Sequence, residues 1–204
     1  MRCLTGLLII LVSLPLSAAA QAGSLEDEIA EIHRLDQALA ALGGAARAPQ
    51  LAGRCARLKQ AAIDRAIAVY AIDVRAVPTG VHYSPHGRMR DRDGATLVDR
   101  DGTLRVQIGD GAFRSAGWLG STIAHEVEVH VNRQVAKGRR PSPSDEQAAW
   151  LDEVEAYDFE LASEARFGLR PEESRQVRQR RTVFYRSLAY ENRQRVDAGV
   201  YAQR

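Results

Sequence analysis

The 204-residue sequence predicts an α+β protein: an N-terminal helical hairpin, a small mostly antiparallel sheet, a pair of site-bearing helices and a long C-terminal helix. Three observations predict it. Leu25, Ile29, Ile32, Leu35, Leu39 and Leu42 recur at helical spacing. After Pro78-Thr79-Gly80 short alternating runs take over, punctuated by the tetrapeptide Asp-Arg-Asp-Gly at 91–94 and again at 99–102, a tight-turn signal. Helical character then returns in STIAHEVEVHVN, Ser121 to Asn132, which sets His125, Glu126, Glu128 and His130 among apolar residues.

The chain begins with Arg2, an apolar run from Leu4 to Leu14, Pro15 and then Ser17-Ala18-Ala19-Ala20. This is the pattern of a cleavable export leader over residues 1–20, cut after Ala20, and the run is short for a membrane span. The expected location is therefore periplasmic or secreted. Cys3 would leave with the leader. Cys55 would remain alone, which excludes an intramolecular disulfide and a cysteine zinc cluster. Its apolar neighbours predict a small buried residue. A net charge of +2 gives no reason to expect a nucleic-acid partner.

Residues 21–77 read as the hairpin, either a subdomain or a cover for the core. Ser24 caps the first helix and Gly43-Gly44 ends it; the second follows Pro49 and carries Leu51, Cys55, Leu58, Ile67 and Tyr70. His33 is expected at the edge of the apolar stripe, without a ligand role. Residues 78–204 form the second unit. Its strand candidates are Val81 to Ser84, Ala95 to Asp99 and Thr103 to Ile108. The acidic turns offer too few oxygens at fixed offsets for calcium. His82 and His86 are expected to be surface histidines.

Ser115 and Ser121 are alternative N-caps for the central helix. The following helix, from Ser144 or Asp145, carries Asp152, Glu153, Glu155, Asp158 and Glu160 between Trp150, Leu151, Val154, Phe159 and Leu161. Most of these acids are expected on a solvated face, but a carboxylate close to the apolar side requires a cation. The last helix starts at Pro171. The seven arginines between Arg175 and Arg195 are expected to pair with the acidic helix.

The chemistry concentrates at 125–130. Two neutral imidazoles bind zinc, and a glutamate directly after the first histidine is placed to take a proton from an activated water. In the common motif H-E-x-x-H the histidines stand four apart; here His125 and His130 stand five apart. On a regular α-helix that leaves them about 140° apart. Either a π-turn realigns the pair, or Glu126 and His130 share the working face and His125 looks elsewhere. The sequence leaves both open.

A strand, a Gly-bounded loop, a helix with His125-Glu126 and a second histidine, and a following helix with a glutamate together resemble the gluzincin-type zinc metallopeptidases. Glu153-Val154-Glu155-Ala156-Tyr157 resembles that clan's E-x-x-A-D element, with Tyr157 in the Asp position. The resemblance implies Zn(2+) held by His125, His130 and Glu153, with Glu155 as the second choice for third ligand, and Glu126 as catalytic base acting on a peptide or protein substrate. IGDGAFRSAGWLGSTIAHEVEVHVN and DEVEAYDFELASEARFGL resemble, more closely, the peptidase-like C-terminal domains of bacterial Rhs/YD-repeat polymorphic toxins, over roughly residues 78–204. Two other classes stay open: a non-catalytic relative with a buried His-Glu network, and an exported module that binds an anionic polymer through the arginine face.

Overall fold

The structure, a computed structural model, describes residues 18–85, 93–136 and 146–199, with side chains from Leu25 onward. Most of the expected leader and His86 therefore lie outside the described residues. Helices α1 (Ala18–Ala41) and α2 (Pro49–Val69) form the hairpin. The link leaves α1 through Gly43 and Gly44, at φ 82° and 92°, where a side chain would be strained. Leu25, Ile29 and Ile32 of α1 and Ile63 and Ala66 of α2 share one core with Val81, Val106 and Ile108 of the sheet. The packing is that of a cover on the core. Leu42, at the end of the stripe, is instead exposed.

Lys59 pins these parts together. Its ammonium group is 2.9 Å from Asp36 of α1 and 2.6 Å from Asp110, and the Tyr83 hydroxyl donates to Asp110 at 2.7 Å. Burial opposes its charge, yet the two aspartates hold its pKa above the ordinary lysine value. Cys55 is buried beside it and donates to Asp36 at 3.2 Å; burial first, then that bond, pushes its thiol up to about 11. It is the small buried residue that its sequence neighbours predict.

Strands β1 (Val81–Tyr83), β2 (Gly94–Val98) and β3 (Leu104–Ile108) form one sheet in the order β1-β3-β2. β2 and β3 pair antiparallel, Thr96 opposite Val106, across the turn at 99–102, where Gly102 takes φ 82°. β1 lies parallel on the other side of β3, so the sheet is mixed, with the antiparallel pairing the longer. The Gln60 amide closes the outer edge of β1, donating to the Val81 carbonyl and accepting from the Tyr83 N–H, both at 3.0 Å. The outer edge of β2 carries no strand among the described residues.

Ser115 is the N-cap of α3 (Ala116–Ala124), accepting from the Trp118 N–H at 2.9 Å. The helix continues as a π-helical segment, His125–Val131, and then as α4 (Asn132–Ala136). α5 (Glu146–Ala162) and α6 (Glu164–Phe167) follow, ended by Gly168 in the left-handed region. α7 (Pro171–Ser187) is the long C-terminal helix; the chain turns extended at Leu188 and Ala189 before α8 (Tyr190–Asp197). The break lets Leu188 and Val196 both pack on Leu151 and Val154 of α5. Among the described residues, no helix is long and apolar enough to cross a membrane.

α3 lies deep because two glycines let other segments come close. A Cβ on Gly117 would stand 2.6 Å from the Phe167 carbonyl oxygen, and one on Gly120 would run into the Tyr70 ring. Gly120→Ala therefore has to displace Tyr70, and should destabilise the fold by about 1–3 kcal/mol. Urea unfolding of variant and parent checks this; an unchanged midpoint would contradict the close packing.

Candidate metal centre

The π-helical segment settles the spacing of the histidines. Its i→i+5 hydrogen bonding stacks residues five apart, and the imidazoles of His125 and His130 meet with their Nε2 atoms 3.1 Å apart. Glu153 of α5 reaches the same point: its carboxylate oxygens stand 3.7 Å from His125 Nε2 and 3.6 Å from His130 Nε2. Ligand atoms about 2.1 Å from a tetrahedral ion are about 3.4 Å from one another. The two Glu153 distances run to different oxygens, Oε2 and Oε1, and one ligand atom from each of the three residues falls within 4.8 Å of the others, close to that spacing. His125, His130 and Glu153 can therefore hold a metal ion.

The surroundings fit such an ion. Glu160, two turns along α5 from Glu153, accepts from His125 Nδ1 at 2.7 Å, and the Ser121 hydroxyl donates to its other oxygen at 2.7 Å. A proton fixed on Nδ1 leaves the Nε2 lone pair directed at the cluster, the tautomer a metal needs. The Tyr157 ring sits edge-on to His125, centroids 5.0 Å apart. Arg133 instead engages Asp152 and Glu155, so Glu155 is committed elsewhere and Glu153 is the third member.

Glu126 is held from the sheet. The Thr96 hydroxyl lies 2.8 Å from its Oε2 and 3.0 Å from its backbone carbonyl. A Cβ on Gly94 would stand 2.8 Å from Glu126 Cγ, so only glycine lets β2 come this close. Glu126, His125, Glu153 and Glu160 line one open cavity of about 400 Å³, with Asp93, Trp118, Tyr157, Arg180 and Phe184 on its other walls.

Electrostatics follow from burial. Burial pushes Glu126 up to about 7, against the opposing pull of His125. Burial also disfavours charge on His125, but Glu153 and Glu160 outweigh it and raise His125 well above the usual imidazole value. Burial and then the neighbouring His125 charge lower His130 to about 4. Glu153 is kept below its ordinary value because the two imidazoles outweigh its burial.

The structure brings together His125, Glu126, His130 and Glu153, and leaves the other sequence candidates apart. His82 is exposed and bonds to the Thr79 carbonyl; His33 bonds to the Phe113 carbonyl at 2.5 Å. Glu128 faces away, held by Arg166 at 2.7 and 2.8 Å. The five acids from Asp152 to Glu160 form no solvated face: Asp152 and Glu155 take Arg133, Asp158 takes Arg181, and Glu153 and Glu160 face the histidines. Sequence reasoning missed Glu160, Thr96, Gly94 and Arg180 as members of the site. For Glu160 a signal existed: Glu153, Tyr157 and Glu160 stand at i, i+4 and i+7, one helix face. Thr96, Gly94 and Arg180 arrive through tertiary packing and carried none.

No protein-family model, curated protein or solved structure matches the chain.

Removing the carboxylate behind His125 tests the arrangement. Glu160→Gln should weaken metal binding by roughly 10- to 100-fold, because an orienting partner of a ligand histidine is lost. Titration of the metal-stripped protein with a divalent ion reads this, and an unchanged affinity would refute the role. Acid should release the ion. Each bound imidazole must be deprotonated, so affinity falls as pH drops, by about tenfold per unit for each proton taken up. Equilibrium dialysis between pH 5 and 8 checks the sign.

Proposed function

We propose that this chain is an exported zinc-dependent hydrolase of the gluzincin type, acting on peptides and resembling the toxin-type peptidase domains. The observation that carries the reading is the convergence of His125, His130 and Glu153 at 3.1–3.7 Å, with a buried carboxylate, Glu126, in the same open cavity. Two imidazole nitrogens and one carboxylate, with room for a fourth ligand, suit zinc in a catalytic role. Zinc would supply a Lewis acid that makes water acidic near neutral pH and polarises a carbonyl.

The chain's own residues do the rest. Glu126, with its pKa raised to about 7 by burial, is matched to taking a proton near neutrality and returning it to the leaving amine. Thr96 keeps that carboxylate in one orientation. Glu160 keeps His125 in the ligand tautomer. The start of β2 lines the cavity and β2 is an edge strand, a place where an extended peptide can add by backbone pairing. Export rests on the Arg2, Leu4–Leu14 and Ala18–Ala20 pattern, and the intact mass of envelope protein, with a chain beginning at Gln21, tests it.

One observation favours a second reading. The Nε2 atoms at 3.1 Å are also at hydrogen-bond distance, so His130, His125 and Glu160 make a continuous proton-sharing chain without an ion. Metal content separates the two. The arginine face gives less support to a polymer-binding module, because Arg178, Arg180 and Arg181 engage Glu164, Asp93 and Asp158.

The deciding experiment measures zinc stoichiometry and hydrolysis of a mixed peptide library. Glu126→Gln should keep the metal and lose activity by about 10²- to 10⁴-fold. His130→Ala should lose both together. Glu128→Gln is the control, since its carboxylate is tied to Arg166 on the other side. Zinc-free, inactive parent protein would overturn the hydrolase reading in favour of the histidine network.

A further inference from the structure

One wall of the cavity is built differently from the metal cluster. Arg180, on α7, lines it and is paired through Nη1 with Asp93, which is 7% exposed. Asp93 is shared: Arg114 Nη2 stands 3.7 Å from its other oxygen, and the remaining Arg114 contact, to Gln176 Oε1 at 2.5 Å, is neutral. Two guanidinium groups thus flank one carboxylate. Both lie over the Trp118 indole, 4.9 and 5.3 Å from its centroid, so the ring fixes their planes. Among the described residues Asp93 is the one carboxylate within ion-pair distance of Arg180, whose side chain is 33% exposed and lines the cavity. Phe184 and Tyr157, stacked at 5.8 Å, supply an apolar wall beside it.

We infer that Arg180, set on Trp118, forms a subsite for a carboxylate group carried by the substrate. A planar guanidinium with free N–H groups binds a carboxylate through two parallel hydrogen bonds, and partial burial strengthens them. Asp93 occupies one side of the guanidinium; a ligand carboxylate takes the side that faces the cavity. The carboxylate has two sources in a peptide, the C-terminus or an acidic side chain next to the cleaved bond. The identity of the ligand as a peptide rests on the hydrolase reading; the anion preference does not.

The test uses the full chain as Glu126→Gln, to prevent turnover, and tryptophan fluorescence. The probes are a blocked alanine tripeptide with a free C-terminal carboxylate, its C-terminal amide, and an amide ending in glutamate. The free acid, or the glutamate amide, should bind at least about tenfold more tightly than the plain amide; which of the two does so identifies the source. Adding Arg180→Gln should bring that ratio to one, with metal content and the affinity of the plain amide unchanged. Arg180→Lys, which keeps the charge and the pairing with Asp93 but not the fork, should retain part of the ratio and covers the case in which the glutamine variant does not fold. Equal binding of all three probes, or a ratio that survives Arg180→Gln, overturns the subsite. Metal analysis of the same samples separates the two readings. A metal-free protein with an intact ratio would sink the hydrolase and keep the subsite; a metal-loaded protein with a ratio of one would do the reverse.

Discussion

Two imidazoles five residues apart on one helix meet only where the helix widens between them, and everything at this site depends on that widening. An α-helical turn would place His125 and His130 on different faces. The π-helical segment brings their Nε2 atoms to 3.1 Å. Widening loosens backbone carbonyls, which need other partners. Side chains attend two of them: the Thr96 hydroxyl at the Glu126 carbonyl, 3.0 Å, and the Asn132 amide donating to the Glu128 carbonyl at 2.8 Å. The distortion is thus supported from the sheet on one side and from the helix itself on the other. Val127 and Val131, fully buried in the main core, hold the segment from beneath.

Burying this much charge imposes the second constraint. Two imidazoles and three carboxylates, Glu126, Glu153 and Glu160, gather at one site, and unpaired they would oppose folding strongly. The arrangement distributes them. Glu160 is satisfied by Ser121 and His125, Glu126 by Thr96, and Glu153 by whatever lies between the two rings, a shared proton or a cation. Neighbouring acids are drawn off by arginines, so Asp152, Glu155 and Asp158 add little repulsion to the cluster. The pairing of α5 with α4 and α7 has electrostatic work to do beyond packing.

Much of this was legible in the residues, and what was not has a physical reason. The hairpin, the three strands and the turn at 99–102 follow from apolar periodicity and Gly/Pro placement, which are local signals. His125, Glu126 and His130 announce themselves because ionisable groups in so apolar a stretch need an explanation. Periodicity cannot say whether the helix widens, since that is decided by what β2 and α5 bring to it. The choice between Glu153 and Glu155 was open for a similar reason: the two differ by 200° around α5, and the position of Arg133 decides which faces the imidazoles. Tyr157 stands in the Asp position of the element that the sequence resembles, and Glu160 one turn on makes the contact to His125. The parallel β1–β3 pairing was not legible, because it depends on a connection whose turn chemistry does not fix its direction.

The residues proposed as metal ligands and as base are carried by different layers. The ligands come from the π-helical segment and α5, while the carboxylate of Glu126 is oriented by β2, through the Thr96 hydroxyl and the absent side chain of Gly94. Both residues point to the same side of the strand because they are two apart. Their position opposite Val106 and Ile108 is set by the β2–β3 register, itself fixed by the turn at 99–102. A slip of one residue would turn Thr96 away from the helix and put Ala95 in its place. The small sheet is therefore more than a floor for the core: its register decides where Glu126 stands relative to His125, His130 and Glu153, and a turn remote from the cavity contributes to the arrangement inside it.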